Sequence, residues 1–316
     1  MPALPLPAGP VVAAGLSPAW QVIMRFAALA AGEVNRAEET WHCASGKVLN
    51  VAVALAHLGC PTRAVTVLGG APAAATAAEM AGLGVGLDAV PTRGRTRTCT
   101  TLLEGAGGRT TELVENAGAI GADELAAFVE AYGRAVAGAA AVVLSGSLPA
   151  GTPATLYREL LERTPCPAIL DARGPELLEA LPARPRLVKP NRAELATTAR
   201  CALEDDGDAF AAMDGLHRRG AAWVLVTDGA RPALLLGPGG RFRVRPPRPH
   251  RIVNPIGCGD CLAAGFAAAA AGGAASLDAV RLGFACAADN CRLPLAGRLD
   301  GAAVARLAEG VTIEPA

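Results

Sequence analysis

Asn254-Pro255-Ile256-Gly257-Cys258-Gly259-Asp260 runs directly into the apolar segment from Cys261 to Ala271. Two glycines flank one small residue, a carboxylate follows at once, and a helix-length run of Ala, Leu and Phe begins there. This is the sequence of a loop feeding a helix N-terminus. Glycine lets backbone approach backbone or ligand closely, and free N–H groups at a helix start, with about half a positive charge from the macrodipole, attract phosphate. Asp260 in that first turn is either a helix-capping acid or a base beside an anion hole, and the neighbouring motifs must choose between the two.

The totals narrow the choice. A chain of 316 residues can bury a large α/β core. Lys plus Arg and Asp plus Glu are both 29, which argues against a nucleic-acid or acidic-membrane partner. Five arginines among prolines between Arg241 and Arg251 read as a solvated loop. Met1 to Leu16 has no basic residue and is broken by Pro2, Pro5, Pro7 and Pro10, unlike a secretory signal. The run Cys261 to Ala275 is too short to span a bilayer, so the expectation is a soluble cytoplasmic protein. Nine scattered cysteines suit free thiols in a reducing compartment. Cys258 and Cys261 form a CxxC, but no second CxxC or His pair completes a zinc site, and small-residue packing is the reading they favour.

Along the chain, Val11 to Ala14 reads as a buried strand, and Ala19 to Ser45 as exposed strands of a small sheet. Ser45-Gly46-Lys47 opens a helix over Val48 to Leu58, and Lys47 at its entrance is either an anion ligand or a solvated cation. A strand at Thr62 to Leu68 and a helix at Ala73 to Leu83 follow. Thr96–Leu103 and Thr110–Val114 make a hairpin through the turn Gly105-Ala106-Gly107-Gly108. From Ala117 onward, short apolar runs at 141–144, 168–170, 187–188 and 223–226 alternate with helices at 122–137, 153–163, 191–199 and 209–218. That alternation predicts a parallel sheet covered on both faces.

Ser145-Gly146-Ser147, Asp171, Lys189-Pro190-Asn191 and Thr227-Asp228-Gly229 each follow one of those strands, where open α/β sheets bind ligands. Asn191 and Glu194, three apart, share one face of a first helical turn. They suit either a capping box or oxygen ligation of Mg²⁺ through water.

In this order and spacing the motifs resemble the PfkB family of ribokinase-like sugar kinases, and within it the tagatose-6-phosphate kinase and 1-phosphofructokinase branch. The resemblance runs nearly end to end. It rests on Gly32-Glu33-Val34-Asn35-Arg36, Gly46-Lys47 with Asn50-Val51-Ala52, Thr96-Arg97, Thr111-Glu112, Ser145-Gly146-Ser147-Leu148-Pro149, Lys189-Pro190-Asn191 with Glu194, and the loop at 254–260.

It implies an α/β fold: a Rossmann-like domain, mainly a parallel sheet with helices on both faces, formed by residues 1–18, 46–93 and 117–316. Residues 19–45 and 94–116 would make a small β lid. It implies transfer of the ATP γ-phosphoryl group to a sugar hydroxyl, with Asp260 as base and the amides of Gly257, Cys258 and Gly259 as anion hole. Gln21, Gly46, Lys47, Asn50, Arg97, Glu112 and Ser145 fall at substrate positions. Lys189, Asn191, Glu194, Thr227, Gly229 and, at the adenine pocket, Asn290 fall at nucleotide positions. Lys47 and Arg97 occupy the places of two cations that hold a phosphate already on the sugar.

The expected acceptor is therefore tagatose 6-phosphate, fructose 1-phosphate or fructose 6-phosphate, with ATP and Mg²⁺, a monovalent cation as a further candidate, and a homodimer formed through the lid. Three positions depart from the family pattern. Gln21 replaces a carboxylate that grips sugar hydroxyls, Ser45-Gly46-Lys47-Val48 replaces Gly-Gly-Lys-Gly, and Cys258 replaces Ala or Ser. Val48 would be strained if its site required a positive φ. The alternatives are a kinase of an unphosphorylated sugar or nucleoside, and a non-catalytic sugar or nucleotide sensor keeping the fold.

Overall fold

The computed structural model describes residues 7–105, 108–249 and 251–316. Strand β1 (Val11–Ala14) is an interior strand of a ten-stranded sheet, parallel to both its neighbours, and its four residues are fully buried. Successive side chains of a strand point to opposite faces. Val11 and Ala13 accordingly enter one core cluster, Val12 and Ala14 the other. The same alternation runs through β8 (Ala141–Ser145), β9 (Ala168–Asp171), β10 (Leu187–Val188) and β11 (Val224–Val226). A strand apolar on both sides must be covered on both sides, which is the physical content of the α/β architecture.

With β4 (Thr62–Leu68), β5 (Gly86–Pro91), β12 (Ala233–Gly237), β13 (Gly240–Arg245) and β14 (Thr312–Pro315), the order is β14-β13-β12-β11-β10-β9-β8-β1-β4-β5. Pairing is parallel from β11 through β5 and antiparallel from β11 to β14. One face is covered by α1 (Lys47–His57), α2 (Pro72–Gly82), α8 (Cys258–Ala271), α9 (Ser276–Asn290) and α10 (Gly301–Glu309). The other is covered by α3 (Ala122–Val136), α4 (Leu156–Glu162), α5 (Gly174–Ala180), α6 (Arg192–Ala199) and α7 (Asp206–Arg218).

Helices α8 and α9 touch backbone to backbone. A Cβ on Gly265 would stand 2.9 Å from Gly283 Cα, and one on Gly283 would stand 2.7 Å from the Leu262 carbonyl oxygen. Two glycines thus set the seat of the helix that carries Asp260.

A second sheet, ordered β3-β2-β6-β7, comes from β2 (Ala19–Phe26), β3 (Glu39–Ser45), β6 (Arg97–Glu104) and β7 (Thr110–Val114). The parallel pairing of β2 with β6 joins its two sequence segments, Ala19 lying opposite Arg97 and Gln21 opposite Cys99. Ala106 and Gly107 of the expected turn lie outside the described residues, as do Met1 to Leu6.

Two local expectations change. The arginine-rich segment is not wholly loop, because Gly240–Arg245 is a strand. Arg241, Arg243 and Arg245 pair with Asp214 at 2.6 Å, Asp206 at 2.9 Å and Glu314 at 3.6 Å, while Val244 between them is buried. Val48 carries no strain. The left-handed turn falls on Gly46 (φ 85°), the N-cap of α1, and Val48 is a buried residue of that helix.

Candidate active site

The carboxyl ends of the parallel strands, the first turns of α1, α6 and α8, and the inner side of the small sheet enclose a cleft of about 860 Å³. Gly257 starts α8 in the left-handed conformation (φ 83°), where only glycine is unstrained. A Cβ there would also stand 2.6 Å from the Ala296 side chain. Asn254 shapes the approach, its Oδ1 accepting from the Ile256 amide at 3.0 Å and its Nδ2 donating to the Pro294 carbonyl at 2.8 Å. A Cβ on Gly259 would meet the Lys189 ammonium at 3.2 Å, so the missing side chain lets that charge lie against the loop.

Asp260 is only 5% exposed, and its Oδ2 accepts from Asn50 Nδ2 at 2.8 Å. Asn50 is itself oriented by Ser45, whose Oγ donates to Asn50 Oδ1 at 3.0 Å. Burial pushes the Asp260 carboxyl up, and the Asp171 charge pushes it further. Lys47, the Asn50 hydrogen bond and Lys189 hold it back, leaving it at about 6. Such a group is mostly ionised at neutral pH, yet basic enough to take a proton in a transition state.

Beneath it, buried Asp171 joins two ammoniums: Lys47 Nζ lies 3.2 Å from Oδ1 and Lys189 Nζ 3.4 Å from Oδ2. Burial alone would raise the Asp171 carboxyl, but Lys189 and Lys47 reverse this and hold it below its ordinary value. For Lys47 burial disfavours the charge, while Asp171, then Asp260 and Glu194, outweigh it and raise the ammonium above its usual value.

Most of the residues named from sequence line this one cleft. From the loop come Gly257, Cys258, Gly259 and Asp260, and from the α1 entrance Gly46, Lys47 and Asn50. The small sheet supplies Gln21, Arg97 and Glu112, and the far wall Lys189, Asn191, Glu194 and Thr227. Their engagements refine the expectations. Arg97 donates to the carbonyls of Pro18 (3.3 Å), Glu115 (3.1 Å) and Ser17 (3.2 Å), bracing the small sheet on the main one. Gln21 Nε2 donates to Thr101 Oγ1 at 2.8 Å inside that sheet, which leaves the amide oxygen as its free acceptor. Burial raises the Glu112 carboxyl and Arg97 moderates the effect.

Asn191 and Glu194 form the reciprocal capping box. Asn191 Oδ1 accepts from the Glu194 amide at 2.8 Å, and Glu194 Oε2 accepts from the Asn191 amide at 2.9 Å. Glu194 Oε1 makes no hydrogen bond among the described residues. The box therefore does not exclude the metal reading. One oxygen remains for a Mg²⁺ held mainly by water and phosphate, and the described residues hold no cluster of three metal-binding side chains that would form a full cage.

Three expected residues do not line the cleft. Ser145 is buried behind Gly146 and Ser147, and its Oγ has no partner. Gly229 sits in the exposed turn after β11. Asn290 stands behind the loop rather than at a ligand surface. It is 1% exposed, its Nδ2 donates to the Ile256 carbonyl at 2.9 Å, and its Oδ1 accepts from the Gly297 amide at 2.9 Å. Asn290 therefore clamps the loop that leads into α8. Asp171, read from sequence only as one of the polar residues at the ligand-binding strand ends, and Arg173, not singled out there, both line the cleft. Asp171 was visible as a polar residue ending an apolar run, but a single residue has no spacing partner to reveal its two lysines.

A carboxylate that titrates near neutrality, next to a glycine-lined helix start and walled by lysines, is suited to take a hydroxyl proton while charge develops on a phosphoryl group. That is the chemistry of a kinase. Residues 18–297 match the pfkB family carbohydrate kinases, and the chain belongs to that family of ATP-dependent sugar kinases.

The fold is shared with phosphofructokinase-2 from Escherichia coli in complex with fructose-6-phosphate (24% identity, TM-score 0.85, covering 95% of this chain and 98% of that one). It is shared with the possible 1-phosphofructokinase of Thermotoga maritima (21%, 0.89, 97% and 99%). It is shared also with Arabidopsis thaliana ribokinase complexed with ribose and ATP (23%, 0.74, 96% and 99%). No helix among the described residues is long and apolar enough to cross a membrane.

Proposed function

We propose that this kinase transfers the γ-phosphoryl group of ATP to a hydroxyl of a phosphorylated ketohexose: tagatose 6-phosphate, fructose 1-phosphate or fructose 6-phosphate. The observation that carries the reading is Asp260 itself, a buried carboxylate raised to about 6, at the start of α8 and in one cleft with Lys47, Arg97 and Lys189. Asp260 takes the acceptor's hydroxyl proton, and Asn50 holds the accepting oxygen in place. The amides of Gly257, Cys258 and Gly259 carry the charge of the moving phosphoryl, with Lys189 alongside. Bound Mg²⁺ would neutralise phosphate oxygens, with Asn191 and Glu194 on its water shell. Lys189, Thr227 and Gly229 form the nucleotide side; Gln21, Gly46, Asn50, Glu112 and Ser145 belong to the sugar side, Ser145 from behind.

Two cations on the sugar side, and the fructose-6-phosphate complex of the Escherichia coli protein, support a phosphorylated acceptor. The engagement of Lys47 by Asp171, and of Arg97 by three carbonyls, favours a second reading in which the sugar carries no phosphate. Exposed Leu113 and Val114 on edge strand β7 support a homodimer through the lid. The potassium complex of the Escherichia coli protein supports a monovalent cation as a further cofactor. We place the protein in the cytoplasm on its cysteine usage.

Coupled ADP release over phosphorylated and free hexoses tests the reading. Turnover confined to phosphohexoses is expected, turnover confined to free sugars or nucleosides supports the second reading, and nucleotide binding without any turnover supports a sensor.

A further inference from the structure

Four cations line the cleft: Lys47, Arg97, Arg173 and Lys189. Lys47 and Lys189 are paired to Asp171, and Arg97 is spent on carbonyls. Arg173 is exposed and makes no hydrogen bond or ion pair among the described residues. This is not for want of acids, since Glu112, Asp171, Glu176, Glu194 and Asp260 line the same cleft. With five carboxylates and four cations on the lining, and three of the cations already engaged, Arg173 is the guanidinium left over for an incoming anion.

Its position along the cleft is fixed by the loop after β9. Arg173 is extended (φ −142°) and lies two residues beyond Asp171. The next amide, of Gly174, donates to Thr198 Oγ1 at 2.8 Å and ties the loop to α6. That helix carries Asn191 at its cap, Glu194 in its first turn and Thr197 on the cleft wall. The sugar-side residues Gln21, Arg97 and Glu112 come instead from the small sheet. Arg173 therefore stands on the α6 side of Asp171, with five N–H donors in a planar fork and no pair to break.

We propose that Arg173 is a phosphate-binding residue for the terminal phosphates of the nucleotide. Its guanidinium grips their oxygens from the wall facing the α8 loop, in the bidentate geometry that arginine makes with phosphate. The inference rests on the kinase reading and adds to it a residue that recognises the polyphosphate.

Equilibrium binding of ADP, of a non-hydrolysable ATP analogue and of AMP, with Mg²⁺ and no sugar present, tests it in the full chain. Arg173→Ala should weaken ADP and the analogue about tenfold or more, the scale of a charge-assisted contact, and leave AMP within about twofold. Arg173→Lys should fall between the two proteins. An unchanged melting temperature in both variants is expected, because Arg173 holds nothing else. Equal affinity of wild type and Arg173→Ala for ADP would overturn this inference alone, as would an equal loss for AMP. Failure of the wild type to bind any of the three nucleotides would overturn the kinase reading and this inference with it.

Discussion

Asp260 Oδ2 and Asn50 Nδ2 are 2.8 Å apart, both side chains are almost wholly buried, and they reach each other from different helices. The carboxylate proposed as base is thus aimed from α1 while it is supplied by α8. Asn50 gives the carboxylate a single neutral donor, enough to orient it without quenching its basicity as a bidentate arginine would.

Asp260→Asn should lower kcat by at least about two orders of magnitude while raising stability at neutral pH. Its folded-state pKa of about 6 lies above the ordinary 3.8, so protonation favours the folded form. That contribution is complete below about pH 3.8 and fades as pH rises through 6. At pH 7 to 8 the ionised group costs up to about 3 kcal/mol, which the neutral amide avoids. Denaturant melts at pH 4 and pH 8 check this: a variant no more stable than wild type at pH 8 contradicts it.

The acid limb of kcat/KM should fall with a midpoint near pH 6 in the wild type, as the base is protonated. A rate that stays flat down to pH 5 would remove Asp260 from proton transfer.

Asn50→Ala should move that limb to higher pH, because the Asn50 hydrogen bond is one of the contacts holding the Asp260 carboxyl down. It also strands Ser45 Oγ, and a loss of about 1–3 kcal/mol in stability is expected from the broken buried bonds. The pH profile separates the two effects, since a purely structural role would leave the midpoint in place.

Arg97→Ala should lower the melting temperature as well as raise KM for the acceptor, because the guanidinium satisfies three carbonyls where the small sheet meets the main one. A higher KM with unchanged thermal stability would show that the ligand, not the brace, is its main partner.

Cys258 and Cys291 have their sulfurs 3.0 Å apart, and Asn290 Nδ2 also reaches the Cys258 sulfur at 3.3 Å. The contact with Cys258, against burial, lowers the Cys291 thiol; the same contact and burial raise Cys258. Incubation with a small disulfide such as oxidised glutathione should therefore join them by two successive exchanges, releasing two molecules of the small thiol. Peptide mapping should find the 258–291 cross-link in wild type and none in Cys291→Ser. An uncross-linked wild type would refute this.

What the residues disclosed in advance was the chemistry held in local spacing. The Gly-Cys-Gly-Asp loop, Gly46-Lys47 and the Asn191–Glu194 pair each act within one turn of backbone, so their order along the chain specifies their geometry. What stayed hidden depends on which way a residue faces once packed. Ser145 ends a strand on the wrong side of its own backbone, and Asn290 lies on the face of α9 turned to the loop. Asp171 gains its meaning from lysines 124 and 18 residues away. The strand at 240–245 was masked by its arginines, whose acids arrive from α7 and β14.

The glycine contact between α8 and α9 sets how freely this protein can change. Gly265 lies five positions past Asp260 and never meets the cleft, yet any side chain there must push the helix along its axis or away from Gly283. In a saturation library, positions 265 and 283 should prove as intolerant as the base itself, and their variants should be folded proteins with a misplaced loop. New acceptor preferences are then reachable through the small sheet, whereas the phosphoryl-transfer end of the molecule is closed to variation from behind.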